Sequence, residues 1–320
     1  HQSTELPLFI EDWRELDEAD QAEQLDTFFE HESHYRFNWA EPGLIRVHIH
    51  ILSDDRFRYS LSFHDSALDG WSINRLHTRL LRYYHMARRG ETPPQPLRDD
   101  FLRKYLMLER ATLQDPAARG YWQNELTGFE AMPVPRPLRT TRSTPVIDYF
   151  DVEIDNGLSQ AIRALASELA VPVKTVLLAS HLHVLGVICN RRRVITGYEH
   201  SGRPEELNAE QGVGLFLNTV PYQLELAEQE SWRGLIRRVH AHEAEFLPHR
   251  RFPLAEMKAL LGTTEPMFET VFNFTHFHML KELKVLPGMD EFTVKVRAET
   301  EFPLRAEFSQ DAYTDEVCLS

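Results

Sequence analysis

The most regular patterning in the chain lies between residues 45 and 88. Ile45, Val47, Ile49 and Ile51 alternate with Arg46, His48 and His50, the period of a half-buried strand. Ser53-Asp54-Asp55 turns the chain, and Phe57 to Phe63 alternates again, so the two stretches predict a hairpin. The period then changes. Ile73, Leu76, Leu80, Leu81 and Tyr84 recur at helical spacing, and Arg88, Arg89 and Gly90 make a cationic last turn with a glycine stop. Between strand and helix stands His64-Asp65-Ser66-Ala67-Leu68-Asp69-Gly70-Trp71-Ser72. A histidine and two aspartates thus occupy a short turn between rigid elements, a common place for chemistry.

The rest of the chain arranges itself around that stretch. Residues 1–40 are acidic and weakly patterned, a loop with a short helix near Asp20 to Glu30. Phe101, Tyr105, Leu106 and Leu108 mark an amphipathic helix. Asp115-Pro116 is a cap and first-turn pair for the next helix, which carries Tyr121, Trp122 and Leu126 and stops at Gly128. Pro133, Pro135, Pro137 and Pro145 then punctuate an extended linker. Beyond it the pattern restarts, with a strand at Tyr149 to Ile154 and a helix at Leu158 to Leu169. Val173 to Ile188 is nearly all apolar and too long for a strand, so it predicts a buried helix with His181 and His183 in the core. Arg191-Arg192-Arg193 opens a turn, and Val194 to Tyr198 reads as a strand. Gly212 to Pro221 leads into another, and Glu228 to Phe246 is an amphipathic helix. Phe268 to Phe277, Phe292 to Val296 and Leu304 to Phe308 read as late strands. The expectation is an α/β (α+β) protein of two halves joined near residues 133–147, a mixed sheet in each, divided as 1–140 and 141–320.

Composition narrows the classes. The 320 residues are 42% hydrophobic and 26% charged, enough for a sizeable core. A formal charge of -14 argues against nucleic acid and anionic membranes, which call for basic patches. Two cysteines, Cys189 and Cys318, form neither a disulfide framework nor a zinc spacing, and reduced cytoplasm is the default. No apolar run approaches a membrane span and no signal peptide opens the chain. The first residue is His1, not methionine, so the chain reads as a piece of something longer. His48 and His50 share a face, but two ligands do not make a metal site, and they read as solvated or packed.

The turn has company that gives it a meaning. It resembles the His-His-x-x-x-Asp-Gly signature of condensation domains of non-ribosomal peptide synthetases, often followed by Trp-Ser. Gly43-Leu44-Ile45-Arg46 resembles the strand entry upstream of the signature, and Tyr121-Trp122 with Leu126 the helix before the inter-lobe linker. Thr196-Gly197-Tyr198 with Ser201-Gly202-Arg203-Pro204 resembles the loop before a Gly-x-Phe-x-Asn-Thr-x-Pro segment, here Gly214 to Pro221. His249 with Pro253-Leu254, Phe268 to His278 and Phe302-Pro303-Leu304 are similar to later family stretches. The set is ordered and covers nearly everything from about residue 40. Two departures stand out. The family begins well before the signature, with a His-x-x-Leu-Arg-Thr segment not found here, and continues past residue 318. The family's second histidine, credited with catalysis, falls on Asp65.

The resemblance implies a chloramphenicol-acetyltransferase-like fold duplicated into two lobes arranged in a V, with the signature midway along a tunnel. Donor and acceptor arrive as thioesters on the phosphopantetheine arms of peptidyl or aryl carrier proteins, with neighbouring synthetase domains as partners. No metal and no cofactor of the enzyme's own is implied. Amide formation needs a deprotonated, aimed amine and a stabilised tetrahedral intermediate. A histidine suits proton removal; Asp65 is a weaker base that can hold an incoming ammonium by a charge-assisted hydrogen bond. Asp65 therefore reads as a positioning residue, an adapted base, or the mark of a lost activity. His64 reads as structural beneath the turn. Asp69 is expected to hold the loop through an arginine, with Arg46 and Arg203 as candidates. Gly70 suits a place where a side chain would obstruct, and Trp71 and Ser72 start the helix, Ser72 as a cap candidate. Asn218 is a candidate tunnel-lining amide. His249, His276 and His278 read as core or surface. Arg82, Arg88, Arg89 and Arg191 to Arg193 are candidate contacts for an acidic carrier protein. The competing readings are an active condensation domain, a non-catalytic docking platform for carrier proteins or tailoring enzymes, and an acyltransferase with a soluble acceptor.

Overall fold

The structure is a computed structural model, and it describes residues 5–95, 100–136, 147–276, 300–311 and 314–320. The predicted strand at Phe292 to Val296, residue His278, and the linker over 137–146 lie outside the described residues. Backbone contacts divide the chain into two units. The first runs through Ile73 and takes in Val213–Leu215; the second takes up Asn74–Gly212 and resumes at Phe216. This division differs from the expected 1–140 and 141–320. Physically, the helix carrying Trp122 and Leu126 packs its apolar face, with Met132, into the core of the second unit.

In the first unit, β1 (Leu8–Asp12), β2 (Ile45–Ile51) and β3 (Phe57–Phe63) form a mixed sheet in that order, with α1 (Glu18–Ser33) between β1 and β2. The hairpin is as the alternation predicts: β2 and β3 pair antiparallel from Ile45 opposite Phe63 to Ile51 opposite Phe57. β1 joins β2 in parallel. It was not legible as a strand, because all five of its residues are exposed and its letters do not alternate. Asp17 caps α1, its carboxylate accepting from the N–H groups of Ala19 and Asp20. Of the two readings of His48 and His50, solvated or packed, the structure shows the packed one. His48 and His50 are the buried residues of β2, and Ile45, Val47, Ile49 and Ile51 are half-buried.

The second unit holds a five-stranded sheet in the order β5-β4-β6-β7-β8, made of β4 (Arg193–Ser201), β5 (Leu217–Glu225), β6 (Thr270–Thr275), β7 (Leu304–Gln310) and β8 (Val317–Leu319). Helices α3 (Phe101–Gln114), α4 (Pro116–Glu125), α5 (Asn156–Leu169), α6 (Val173–Ile188), α7 (Trp232–Phe246) and α8 (Leu254–Leu261) belong to it. α2 (Gly70–Arg88) begins in the first unit and continues into the second. The predicted caps hold where the chemistry is clear: Asp115 accepts from Ala117 N–H at the start of α4. α6 packs against α5, α7, β4, β6 and β7, while Val184, Val187 and Ile188 near its end remain exposed. Leu178, Leu182 and Leu185 of α6 meet Val194, Tyr198, Val239, Val271 and Phe272 in one cluster.

Two expectations need correction. Tyr149 to Ile154 is not a strand: only Val152 bridges, to Leu319, and Tyr149 and Phe150 are exposed. His181 is buried and bonded to Thr196, but His183 is exposed at the end of a helical face and tilts against the Trp232 ring at 4.7 Å. Trp232 itself is exposed, so the buried stripe of α7 starts at Leu235. No single helix among the described residues is long and apolar enough to cross a membrane.

Candidate functional site

The turn after β3 is built by its own polar groups. His64 N–H donates to Leu44 O at 2.9 Å, and Ala67 N–H donates back to His64 O at 2.8 Å. The His64 ring closes the turn: its Nδ1 accepts from Ser66 N–H at 3.1 Å and lies 2.8 Å from Ser66 Oγ. A nitrogen that accepts from a backbone N–H carries no proton, so His64 holds its proton on Nε2. The ring meets Trp39 edge-on at 4.8 Å, with Phe37 at 6.1 Å. Sequence reading passed over Trp39, although Tyr35, Phe37 and Trp39 alternate as an aromatic run. Trp39 is 74% exposed beside His64, an apolar surface open to a bound group.

Asp65 sits at the outer corner of this turn and is exposed. Among the described residues its carboxylate makes no hydrogen bond and no ion pair. Asp69 behaves in the opposite way. It is buried, and its Oδ1 accepts from Ser72 N–H at 2.8 Å while its carbonyl accepts from Ile73 N–H at 3.0 Å. Asp69 is therefore the cap of α2, and Ser72, the expected cap, is the residue being capped. Gly70 is the first helical residue, exposed, and Trp71 follows it half-buried.

Ser72 has a different task. Its hydroxyl donates to Gly214 O at 2.7 Å and accepts from Gly214 N–H at 3.1 Å, and Asp69 N–H also donates to Gly214 O, at 3.2 Å. Both polar groups of one peptide segment are thus held by two residues of the turn. Gly214 has φ +155°, outside the range of ordinary side-chain-bearing residues, which is why glycine stands there. Two of the sequence stretches that carried the resemblance meet at this clamp.

Arg46 is not the partner of Asp69. It pairs with Glu32, Nε to Oε1 at 2.8 Å, and its guanidinium lies 3.8 Å above the Tyr35 ring. Glu32 also accepts from Ser62 Oγ, so this carboxylate ties α1 to both hairpin strands. Arg203 makes contacts in the second unit, donating to Gly212 O at 3.3 Å and stacking 4.1 Å from the Phe216 ring. Asn218 spends both amide hydrogens on carbonyls, Arg250 O and Phe252 O, each at 2.8 Å. It fixes the 250–252 segment beside β5. Trp122 Nε1 donates to His249 O at 3.1 Å, and the Tyr121 ring stacks on His249 at 4.6 Å. Burial holds the His249 imidazole below its ordinary value. Arg251 donates to the carbonyls of Gly202 and Arg203 at 2.8 Å and pairs with Glu205. A side chain on Gly202 would strike the Tyr105 ring, 2.6 Å from its Cβ. The stretches around Trp122, Gly202, Asn218 and His249 thus form one bonded scaffold in the second unit. Among the described residues no group of three or more His, Cys, Asp or Glu side chains is placed to hold a metal ion.

Two mixed sheets with helices, and a capped His-Asp-x-x-x-Asp-Gly turn clamped to a distant glycine, make up this architecture. A family model described as the condensation domain matches residues 1–315, and the chain belongs to that family. Condensation domains are the acyltransferases that form peptide bonds in non-ribosomal peptide biosynthesis. The chain is 32% identical over 282 residues to AMB antimetabolite synthetase AmbE of Pseudomonas aeruginosa, a match covering 86% of this chain and 13% of that protein. It is 26% identical over 264 residues to bacitracin synthase 3 of Bacillus licheniformis, covering 81% of this chain and 4% of that one. The chain therefore spans only a small fraction of the length of these synthetases. Among solved structures, the X-domain from teicoplanin biosynthesis aligns with a TM-score of 0.73 at 17% identity, over 100% of this chain and 74% of that one. The first condensation domain of the calcium-dependent antibiotic synthetase, in complex with a substrate analogue, aligns with a TM-score of 0.71 at 17% identity, over 99% and 72%. These two likenesses establish the fold.

Proposed function

We propose that this chain joins a donor thioester carried on one phosphopantetheine arm to an acceptor amine carried on another, with Asp65 holding the amine. The observation that carries the role of Asp65 is its lack of commitment. His64 Nδ1 and Ser66 close the turn, and Asp69 and Ser72 cap α2 and clamp Gly214. Asp65 is the carboxylate of the turn that is exposed and bonded to nothing among the described residues. A carboxylate so placed can accept from an ammonium or amine and orient its lone pair toward a thioester carbonyl. The amine attacks the carbonyl carbon, the carbon–sulfur bond breaks, and the thiol of the donor arm leaves with the proton. The partners in this reading are carrier proteins and the adjoining synthetase domains, in the cytoplasm.

The test is single-turnover peptide formation between loaded carrier proteins, read by mass spectrometry. One charge-assisted hydrogen bond is worth about 1.5–3 kcal/mol, so Asp65→Asn and Asp65→Ala should slow product formation about ten- to a hundred-fold. Equal rates for wild type and Asp65→Ala remove Asp65 from the chemistry. The absence of the family's histidine favours a second reading, a docking platform that forms no bond. Inactivity of the wild type with activity in Asp65→His decides for it.

A further inference from the structure

Trp39 is the most exposed aromatic side chain among the described residues, yet it is not a stray one. It ends an aromatic run on the segment that follows α1. The Tyr35 ring lies against the Arg46 guanidinium and meets Phe37 edge-on at 5.1 Å. Phe37 meets the His64 ring edge-on, and His64 meets Trp39. Arg46 is itself fixed by Glu32. The imidazole is locked, because Ser66 approaches its Nδ1 with both its N–H and its hydroxyl. The backbone at Trp39 is set as well: Asn38 takes Ala40 N–H on Oδ1 at 3.0 Å and Glu41 N–H on its carbonyl at 3.2 Å. Among the described residues the indole has no ring partner besides His64 and makes no hydrogen bond. A neutral imidazole and an indole thus form a preorganised aromatic wall at the residue before Asp65. Leaving so much apolar surface in water is unfavourable, and nothing in the packing of this unit calls for it.

We propose that Trp39 sets side-chain specificity for the acceptor, by stacking on an aromatic side chain of the incoming aminoacyl group. The placement of that group rests on the proposed function, which brings its ammonium to Asp65. Ammonium and side chain hang from the same α-carbon, so an ammonium at Asp65 directs the side chain to the rings of the adjoining His64 and of Trp39. These rings carry no formal charge. Ring pairs gain more than the area they bury, and the geometry they favour is the edge-on or offset one already present between His64 and Trp39. An indole face also attracts cations, so a lysine side chain is the competing class. Trp39 touches no reacting atom in this reading; it selects which acceptor is held.

Calorimetric titration of the full chain with the N-acetylethylenediamine amides of phenylalanine, lysine and alanine tests it. These amides stand in for the aminoacyl thioester and cannot transfer, so binding is read apart from catalysis. The phenylalanine probe should bind about ten times more tightly than the alanine probe. Trp39→Ala, shown folded by circular dichroism, should bring that ratio below about two, with the loss falling on the phenylalanine probe. Should it not fold, Trp39→Leu, apolar but without a ring, serves the same purpose. Trp39→Phe should keep most of the ratio. Equal binding of the phenylalanine and alanine probes by the wild type, or binding of neither, overturns the proposal, as does a preference for lysine. A folded Trp39→Ala that keeps the wild-type ratio, or that weakens both probes alike, overturns it too. Asp65→Ala should weaken all three probes by a common factor and leave the ratio standing. A ratio that stands while Asp65→Ala binds every probe like wild type, or while no peptide forms, counts against the proposed function alone.

Discussion

β2 of the small sheet and β4 of the large one both bury polar side chains, and they do so in opposite ways. On β4, Thr196 lies fully buried and bonds His181 and the carbonyl of Thr270, and Glu199 is paired with Arg305 through both carboxylate oxygens. The neighbouring Tyr198 donates to Glu243, which also takes Thr175 Oγ1 at 2.5 Å and Lys174 Nζ at 3.0 Å. On β2, His48 and His50 leave all four ring nitrogens without a hydrogen bond among the described residues. Their nearest carboxylate oxygens, on Glu32 and Glu11, stand 3.5 and 3.9 Å away. What they do have is rings: His48 stacks on Phe9 at 4.6 Å, His50 on Trp13 at 4.2 Å, and Phe28 of α1 lies against both. One sheet buries polarity by satisfying it; the other buries imidazole as an aromatic surface. An unpaired buried donor costs free energy, so the small sheet carries a burden that the large one avoids.

Breaking the satisfied side should have the largest effect. Burial pushes the Glu243 carboxyl up, but the Lys174 ammonium and the bonds from Thr175 and Tyr198 outweigh it and hold it below the carboxylate range. Glu243→Ala strands those partners and should cost about 3 kcal/mol, measured as a lower urea midpoint at pH 7. A loss under about 1 kcal/mol means the network is not what holds α6 to α7. Acid tests the other side. Burial lowers the pKa of both His48 and His50. The unfolded chain therefore takes up their protons first, and stability present at neutral pH is lost as pH falls below about 6.5. The slope is at most about 1.4 kcal/mol per pH unit for each histidine. Protection factors for amide exchange at β2 and β3 should fall between pH 7 and 5.5, and a His48→Phe, His50→Leu variant should flatten that dependence. His181, pushed down to about 4 by burial, adds a loss of the same sign in the large sheet, so the contrast lies in which amides the double variant protects.

Smaller effects sharpen the comparison. Ser72→Ala removes the hydroxyl from both polar groups of Gly214 and should lower stability by about 1–2 kcal/mol, with faster exchange at the Gly214 amide as its local sign. His50→Leu at pH 7 replaces an unpaired imidazole with an aliphatic side chain and should be neutral or stabilising by about 1 kcal/mol; a net destabilisation shows that the Trp13 stack matters more than the missing bonds.

These particulars also mark how much of the molecule could be read in its letters. The hairpin, α5 and the bounds of α6 were legible, because period and length there admit one reading. β2 was legible as a strand but not in its orientation. The alternation Ile-Arg-Val-His-Ile-His-Ile points its isoleucines inward by hydrophobicity, and aromatic neighbours from α1 and β1 reverse that. β1 itself escaped, since an exposed strand needs no apolar face. At the site, the turn itself was legible between its strand and its helix, and the structure adds that the His64 ring bonds within it. The part played by Ser72 was missed, because its partner lies 142 residues away and no local pattern records it. The pairing of Arg46 with Glu32 was missed for a similar reason. Asp69 as a cap was open to view in the letters, an aspartate directly before a helical run.

The clamp on Gly214 also sets an order of events in the cell. A ribosome adding roughly 5–20 residues each second needs about 7 to 28 seconds to travel the 142 residues from Ser72 to its partner. For that interval the nascent hairpin and the first turns of α2 exist without the peptide that anchors them. The turn before α2 is therefore fastened late, after β4 of the large sheet has been spelled out, and any chain released before Gly214 leaves with its signature unfastened.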